Sequence, residues 1–403
     1  MGWFLGRAEA MNIFISTGEV SGDLQAAALI EALLGRAQQQ HVDLKITGIG
    51  GQRMAQAGAE LIANSTGIAA FGLQEALPMI LPALRMERQV KQYLRQNPPD
   101  LFIFIDYEGF NTNMGRFCQK QFPHLPIVYY ITPQIWVYSP FPGTAQRLSQ
   151  MSDRILAIFP AEARFFRQYT AAVTWVGHPL VDRMAKAPTR AAARQVLAIE
   201  PDETAIALLP ASRPQEIKLL LPTIFAAAQQ LQAKIPGITF WIPLSSPSFK
   251  PAIQAAIAAY QLNATLVEQD SRQVLAAVDL AIAKCGTVSL ELALLNVPQV
   301  VLYRLAPLTM WAARYIFRAK VPFIAPPNLL LMEEIVPELI QEAASVDNIV
   351  HESLEMLQNP ERQAQIQRDY QRVHQEIGEP GVCDRAAAEI FQLLAQRGKV
   401  SNE

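Results

Sequence analysis

The residues of this chain best suited to chemistry stand where apolar runs end. Asp106 and Glu108 come first, in IDYEGFN (Ile105 to Asn111), directly after the apolar stretch that begins at Leu101. A carboxylate at the carboxyl end of a buried strand reaches a ligand site and can take a proton from an attacking hydroxyl. Capping the helix that follows is the plain alternative use for either acid. Asp106 is the better candidate base, because it is the residue that leaves the strand.

A second turn, STGEVSGD (Ser16 to Asp23), also joins a strand to a helix. Gly18 and Gly22 let backbone amides approach a ligand, and a helix amino terminus favours an anion, which makes Gly18 and Ser21 candidate phosphate or nucleotide contacts. An ordinary strand-to-helix turn needs the same glycines. The turn lacks GxGxxG, and in GIGGQR, Gly48 to Arg53, an arginine stands where the third glycine belongs, so a dinucleotide site is not indicated.

The second half repeats the arrangement. LLPASRPQEI, from Leu208, sets Ser212 and Arg213 after a strand and Glu216 at a helix entrance. An arginine there can neutralise a diphosphate leaving group without a metal, although a surface ion pair would use it equally well. AKCGTVSLELALLNVPQV, from Ala283, has Gly286 and Thr287 at a helix start and Glu291 one turn inside. Those amides can hold phosphate, and the carboxylate can accept hydrogen bonds from ribose hydroxyls. In this order they describe a nucleotide-diphosphate pocket. His178 in VGHP reads as a loop-ordering histidine rather than a base, and Asn328 in PPNLL either contacts a phosphate or caps its helix.

The elements that must position these residues are read from continuous apolar runs. NIFIS, LKITGI, LFIFID, IVYYI, RILAIF and VTWV, from Asn12, Leu44, Leu101, Ile127, Arg154 and Val173, alternate with helical stretches. Continuous rather than alternating hydrophobicity marks parallel strands covered on both faces. Arg183 to Thr204 interrupts the rhythm with proline, charge and alanine, and reads as a connector. A second series follows in AIALLP, TFWIPL, ATLV, DLAIA and QVVLYR, from Ala205, Thr239, Ala264, Asp279 and Gln299. The expected architecture is α/β, with two facing doubly wound, Rossmann-like lobes and a ligand cleft between them. The expected divisions are an extension over 1–10, lobes over 11–185 and 186–365, and a C-terminal helix over 366–403 that returns to the first lobe.

Composition narrows the function. With 51% hydrophobic and 17% charged residues, the chain can bury a large core, and a net charge of -2 gives no footprint for nucleic acid. Cys118, Cys285 and Cys383 lie far apart, with no CxxC and no histidine cluster, so neither a disulfide framework nor a zinc site is indicated. A reducing cytoplasm fits this pattern. Every apolar run is broken short of a membrane span, which needs about 20 residues.

The assembled segments resemble the lipid A disaccharide synthase family almost end to end, from Ile13 to about Phe391. The matching motifs are FISTGEVSGD, GIGG, PPDLFIFIDYEGFN, IVYYITPQIW, DRILAIFP, VGHPLVD, ALLPASRPQEI, CGTVSLELALLNVPQVVLYR, PPNLL and IVPELIQE. The resemblance implies a GT-B fold and inverting transfer of a sugar from UDP-2,3-diacylglucosamine to the 6-hydroxyl of 2,3-diacylglucosamine 1-phosphate (lipid X). UDP and a β(1→6) disaccharide are the implied products, with no metal or other cofactor. The essential acid falls on Asp106 and the phosphate-contacting arginine on Arg213. Gly286, Thr287 and Glu291 match the nucleotide site, and Asn328 and Gln341 match as well. The chain departs from the family pattern where Glu108 and Gly109 replace a proline and a second aspartate, and where Trp136-Val137-Tyr138-Ser139 lacks an arginine.

Acylated substrates require a surface that meets lipid. FGLQEALPMILPALRMER, Phe71 to Arg88, supplies a candidate in Leu73, Leu77, Ile80, Leu81 and Leu84, with Arg85 and Arg88 behind them. A core helix is the competing reading of that segment. The resemblance then implies a peripheral protein on the cytoplasmic face of the inner membrane, with homodimerisation left open. Two other functions compete: a GT-B relative that epimerises or hydrolyses a UDP-amino sugar, and a noncatalytic lipid- or nucleotide-binding protein.

Overall fold

The computed structural model describes residues 10–66, 79–139, 143–211, 213–268, 270–311 and 321–400. The expected extension therefore lies outside the described residues, apart from Ala10. Among the described residues, those within 10–182 and 377–400 form one compact unit, and those within 183–311 and 321–376 form a second.

The first unit is built on a parallel sheet of β1 (Met11–Ser16), β2 (Leu44–Gly50), β3 (Glu60–Asn64), β4 (Leu101–Ile105), β5 (Ile127–Tyr130), β6 (Arg154–Ala157) and β7 (Val173–Trp175). Its spatial order is β3-β2-β1-β4-β5-β6-β7. The second unit holds β8 (Ala205–Leu209), β9 (Thr239–Pro243), β10 (Ala264–Val267), β11 (Leu280–Lys284), β12 (Gln299–Tyr303) and β13 (Glu338–Ile340), ordered β10-β9-β8-β11-β12-β13. Central strands are apolar along their length because helices cover both faces: every residue of β4, Leu101 to Ile105, is fully buried. The sequence reading missed β3 and β13. Both lie at a sheet edge, β3 is only partly buried, and β13 has three residues, so neither carries a continuous apolar run.

Each sheet reverses its winding direction once, between β1 and β4 and between β8 and β11. Such switch points splay the connecting turns apart and open a crevice beyond the carboxyl ends of the strands. The helices that leave these ends in the first unit include α1 (Val20–Gln39), α2 (Gln52–Gln56), α3 (Ile80–Gln96), α4 (Glu108–Gln121), α5 (Thr144–Met151) and α6 (Pro160–Phe166).

The stretch from Arg183 to Thr204, expected as a connector, is instead packed into the second unit. There α7 (Arg190–Leu197) is capped by Thr189, whose hydroxyl accepts from Ala192 N at 3.3 Å, and Ala193 is fully buried. Arg194 anchors it by donating to the carbonyls of Ala277 and Glu203 at 3.1 and 2.6 Å.

Further along the second unit are α8 (Pro214–Lys234), α9 (Thr287–Leu294), α10 (Pro326–Leu331) and α11 (Pro360–Glu376). Helix α11 packs against α9 and α10 through its buried residues Ile366, Tyr370 and Val373. The chain therefore rejoins the first unit at Ile377, not at Ile366 as expected. From there α12 (Val382–Val400) packs on α1, and its first amides are capped by Asp182, which accepts from Val382 N at 3.2 Å and Cys383 N at 3.0 Å. No helix among the described residues is long and apolar enough to cross a membrane.

Candidate functional site

Asp106 leaves β4 at the switch point of the first sheet, with φ +47°, and Tyr107 follows it with φ +54°. Left-handed backbone costs an L-residue about 1–2 kcal/mol, so two in succession persist only if neighbours impose them. Asn111 does so, donating to the Asp106 carbonyl at 2.8 Å and to that of Ile105 at 3.2 Å while accepting from the Ser16 hydroxyl at 2.5 Å. Tyr129 donates to the same Asp106 carbonyl at 2.8 Å, and the Asp106 amide donates to Ile131 at 2.9 Å. Ile131 is itself left-handed, at φ +60°, although a β-branched side chain opposes that conformation. Strain thus gathers at the ends of β4 and β5, and the bonds that fix it aim one carboxyl.

That carboxyl titrates unusually. Its pKa is pushed up to about 7, first by desolvation, then by the charge of Glu19, with Glu108 and Glu162 adding to it and a backbone hydrogen bond from Tyr107 opposing. Asp106 as a whole keeps some solvent contact, so the enclosure is local to its carboxyl. A carboxylate poised near neutrality suits a general base.

The STGEVSGD turn lies against this strained one. A Cβ on Gly18 would fall 2.3 Å from Tyr107 Cγ, and one on Gly22 would fall 1.9 Å from Thr17 Oγ1, so both glycines are needed for close packing. Asp23 serves the fold, since its carboxylate accepts from Gly51 N at 2.8 Å, Arg53 N at 3.1 Å and Met54 N at 3.1 Å, capping α2. Of the GIGG glycines, Gly51 thus donates to Asp23, while a Cβ on Gly48 would fall 2.1 Å from Ile15 O and one on Gly50 2.1 Å from Met54 Sδ. Ser21 sits in the first turn of α1, behind Glu19 as helix cap. A carboxylate at that helix start gives the phosphate contact expected at Gly18 and Ser21 no charge support, and it suits sugar hydroxyls better. Glu19 and Asn111 are the residues that sequence reasoning overlooked here, though both lie inside motifs it quoted.

Glu108 opens α4 half-buried; burial pushes its pKa up and the charge of Arg147 pulls it down. His178 is buried, its Nδ1 accepts from Leu180 N at 3.2 Å, and desolvation lowers its pKa to about 3. A neutral ring committed to its own loop orders that loop. Of the apolar set, Leu73 and Leu77 lie outside the described residues. Ile80, Leu81 and Leu84 are on α3 and are 49%, 65% and 45% exposed, so the core-helix reading fails for them.

In the second unit the same logic holds. Arg213 caps α8 after β8, and its amide donates to Glu216 Oε2 at 3.0 Å. Glu216 meets Lys284 at 3.5 Å, at the end of neighbouring β11, and a Cβ on Gly286 would fall 2.8 Å from that same Lys284 Nζ. The turns after β8 and β11 are thus joined, with Lys284 as a cation that sequence reasoning overlooked. Thr287 begins α9, and Ser212 lies outside the described residues. Gln341 follows β13 with φ +56°, and its side-chain nitrogen is buried without a hydrogen-bond partner in the protein.

One assignment in this unit meets a competitor, and another changes. Glu291 is buried and forms an ion pair with Arg183, so a ribose must compete with that guanidinium. Asn328 is fully buried, and its amide nitrogen donates to Val336 O at 2.9 Å and Glu338 Oε1 at 2.8 Å, while its oxygen accepts from Ile335 N and Val336 N at 2.9 and 3.0 Å. Both amide hydrogens are used, which leaves none for a phosphate. Asn328 instead pins the segment that leads into β13.

Two doubly wound parallel sheets, each with its polar turns gathered at the switch point, define a GT-B α/β protein. Solved structures agree at the level of fold: a putative UDP-N-acetylglucosamine 2-epimerase from Listeria monocytogenes matches with a TM-score of 0.61 and 14% identity, covering 96% of this chain and 98% of that one. The calicheamicin glycosyltransferase CalG4 matches with a TM-score of 0.58 and 14% identity, covering 96% and 99%. Epimerases and transferases share this architecture, so the fold does not choose between them. Sequence does: residues 13–392 match the family model described as lipid-A-disaccharide synthetase, and the chain belongs to that family. The lipid-A-disaccharide synthase of Gloeothece citriformis (strain PCC 7424) is 55% identical over 384 residues, covering 95% of this chain and 100% of that protein.

Proposed function

We propose that the chain is an inverting glycosyltransferase that forms the β(1→6) bond of a lipid A disaccharide. UDP-2,3-diacylglucosamine is the donor and 2,3-diacylglucosamine 1-phosphate the acceptor. The observation that carries the catalytic part is the Asp106 carboxyl, fixed by a strained turn and held near neutrality. Asp106 takes the proton of the acceptor's 6-hydroxyl as its oxygen attacks the anomeric carbon from the face opposite UDP. The bond from that carbon to the diphosphate breaks, and UDP leaves with the electron pair. Arg213 and Lys284 offset the charge that builds on the diphosphate, and the amides at Gly286 and Thr287 add donors at a helix start. Glu291 and Gln341 hold the nucleoside.

Both substrates carry acyl chains, so the chain works as a peripheral protein on the cytoplasmic face of the inner membrane. Exposed Ile80, Leu81 and Leu84 beside exposed Arg85 and Arg88 support this, since that pairing suits an anionic lipid surface. Incubating the purified protein with both diacylated substrates and reading the products by mass spectrometry tests the reading. A disaccharide phosphate and UDP are expected; an isomerised or hydrolysed UDP-sugar with no disaccharide would overturn it in favour of the epimerase or hydrolase.

A further inference from the structure

We propose that Arg147 binds the acceptor's anomeric phosphate beside the Asp106 turn. The inference rests on the synthase reading above and adds a specificity residue to it.

Helix α5 lies tightly along α4. A Cβ on Gly115 of α4 would fall 1.8 Å from Met151 Sδ, and Ala145, Leu148 and Met151 share one buried core with Phe110 and Met114. Arg147 occupies the opposite, exposed face of α5, in its first turn. Its side chain bends back toward the start of the helix: Nη2 donates to Thr144 Oγ1 at 3.0 Å, and Nη1 lies 3.3 Å from where a Cβ on Gly143 would stand. The start of α5 faces the same sheet end as the start of α4, where Glu108 stands two residues after Asp106. The charge of Arg147 is felt at Glu108, where it partly offsets the effect of burial.

Chemistry supplies the rest. The charges that act most on Asp106 are those of Glu19, Glu108 and Glu162, all acids. In a glucosamine 1-phosphate, the carbon that carries C6 and the carbon that carries the phosphate flank the same ring oxygen. A sugar whose 6-hydroxyl meets Asp106 therefore brings a phosphate dianion into an acidic neighbourhood, and such a site needs a cation. A guanidinium answers this need, because its planar fork pairs with two phosphate oxygens at once.

The test compares initial rates at saturating donor with 2,3-diacylglucosamine 1-phosphate and with the same sugar lacking its phosphate. Arg147→Ala is expected to raise KM for the phosphorylated acceptor by roughly tenfold or more, as loss of a charge-assisted hydrogen bond does. KM for the phosphate-free sugar should stay as in the wild type, and Arg147→Lys should restore part of the loss. Equal losses on both acceptors, or no change on either, would overturn the inference while leaving the synthase reading intact. A wild type that makes no disaccharide from either acceptor would remove both.

Discussion

A Cβ placed on Gly18 would fall 2.3, 2.4 and 2.5 Å from Cγ, Cδ2 and Cδ1 of Tyr107, so the first turn of the chain rests directly on the ring beside the candidate base. Tyr107 is stacked in turn on Phe110, at 5.3 Å between centroids, and cannot yield without moving its left-handed backbone. Gly18→Ala is therefore expected to displace Asp106. Turnover should fall by roughly a hundredfold, the cost of about 1 Å of misplacement, while UDP affinity holds. Normal kcat in this variant would show that the contact has no bearing on catalysis.

The second unit makes a separate prediction for the donor. Glu291→Gln keeps the shape of the side chain but removes its charge, so UDP should bind about tenfold more weakly with little change in kcat. Arg213→Ala should do the reverse, lowering kcat by roughly a hundredfold or more because the charge it meets grows in the transition state. Calorimetric UDP titration alongside steady-state rates separates the two. Unchanged UDP affinity in Glu291→Gln would leave the carboxylate as nothing more than the partner of Arg183.

On the membrane, Ile80→Asp with Leu84→Asp removes exposed apolar surface from α3 while leaving its buried face of Met86, Val90 and Leu94 in place. The variant should stay folded and fail to float with anionic vesicles that carry the wild type. Flotation equal to the wild type would exclude this helix as the contact.

Asp106 also sets a pH dependence. With its pKa at about 7, the basic form is lost as pH falls through that value, so kcat/KM should drop on the acid side with a midpoint near 7. Glu19→Gln removes a negative charge that raises this pKa, and it should move the midpoint to lower pH. The stability effect has the opposite sense. A carboxyl raised above its unfolded value contributes stability while protonated, and that contribution is lost as pH rises through about 7. Asp106→Asn, which never ionises, should therefore melt higher than the wild type above pH 7. An acid limb near pH 4 in the wild type would contradict all three expectations.

How much of this was legible in sequence depends on what each residue does. Central strands announced themselves, because Phe102 and Ile103 are apolar for the same reason that they are buried. Edge strands β3 and β13 did not, since pairing on one side and partial exposure free them from that pattern. Arg183 to Thr204 misled because capping and carbonyl contacts, such as those of Thr189 and Arg194, leave charge and proline in a packed segment. Asp106 and Arg213 stand out as candidates from their place after strands, whereas Lys284 and Arg147 do not, because only packing relates them to those turns. Asn328 looked like a ligand residue, yet its four hydrogen bonds join stretches whose adjacency no local pattern encodes.

The most direct measurement is the rate of disaccharide formation by Asp106→Asn, compared with Glu108→Gln and the double variant, with UDP binding followed in parallel. Asparagine keeps the size and hydrogen-bonding reach of the side chain but cannot accept the proton. Product formation by Asp106→Asn should fall by roughly a hundredfold or more while UDP affinity remains that of the wild type, and Glu108→Gln should lose far less. A near-normal rate in Asp106→Asn would contradict the account, and a large loss confined to the double variant would move the base from Asp106 alone to two interchangeable carboxylates.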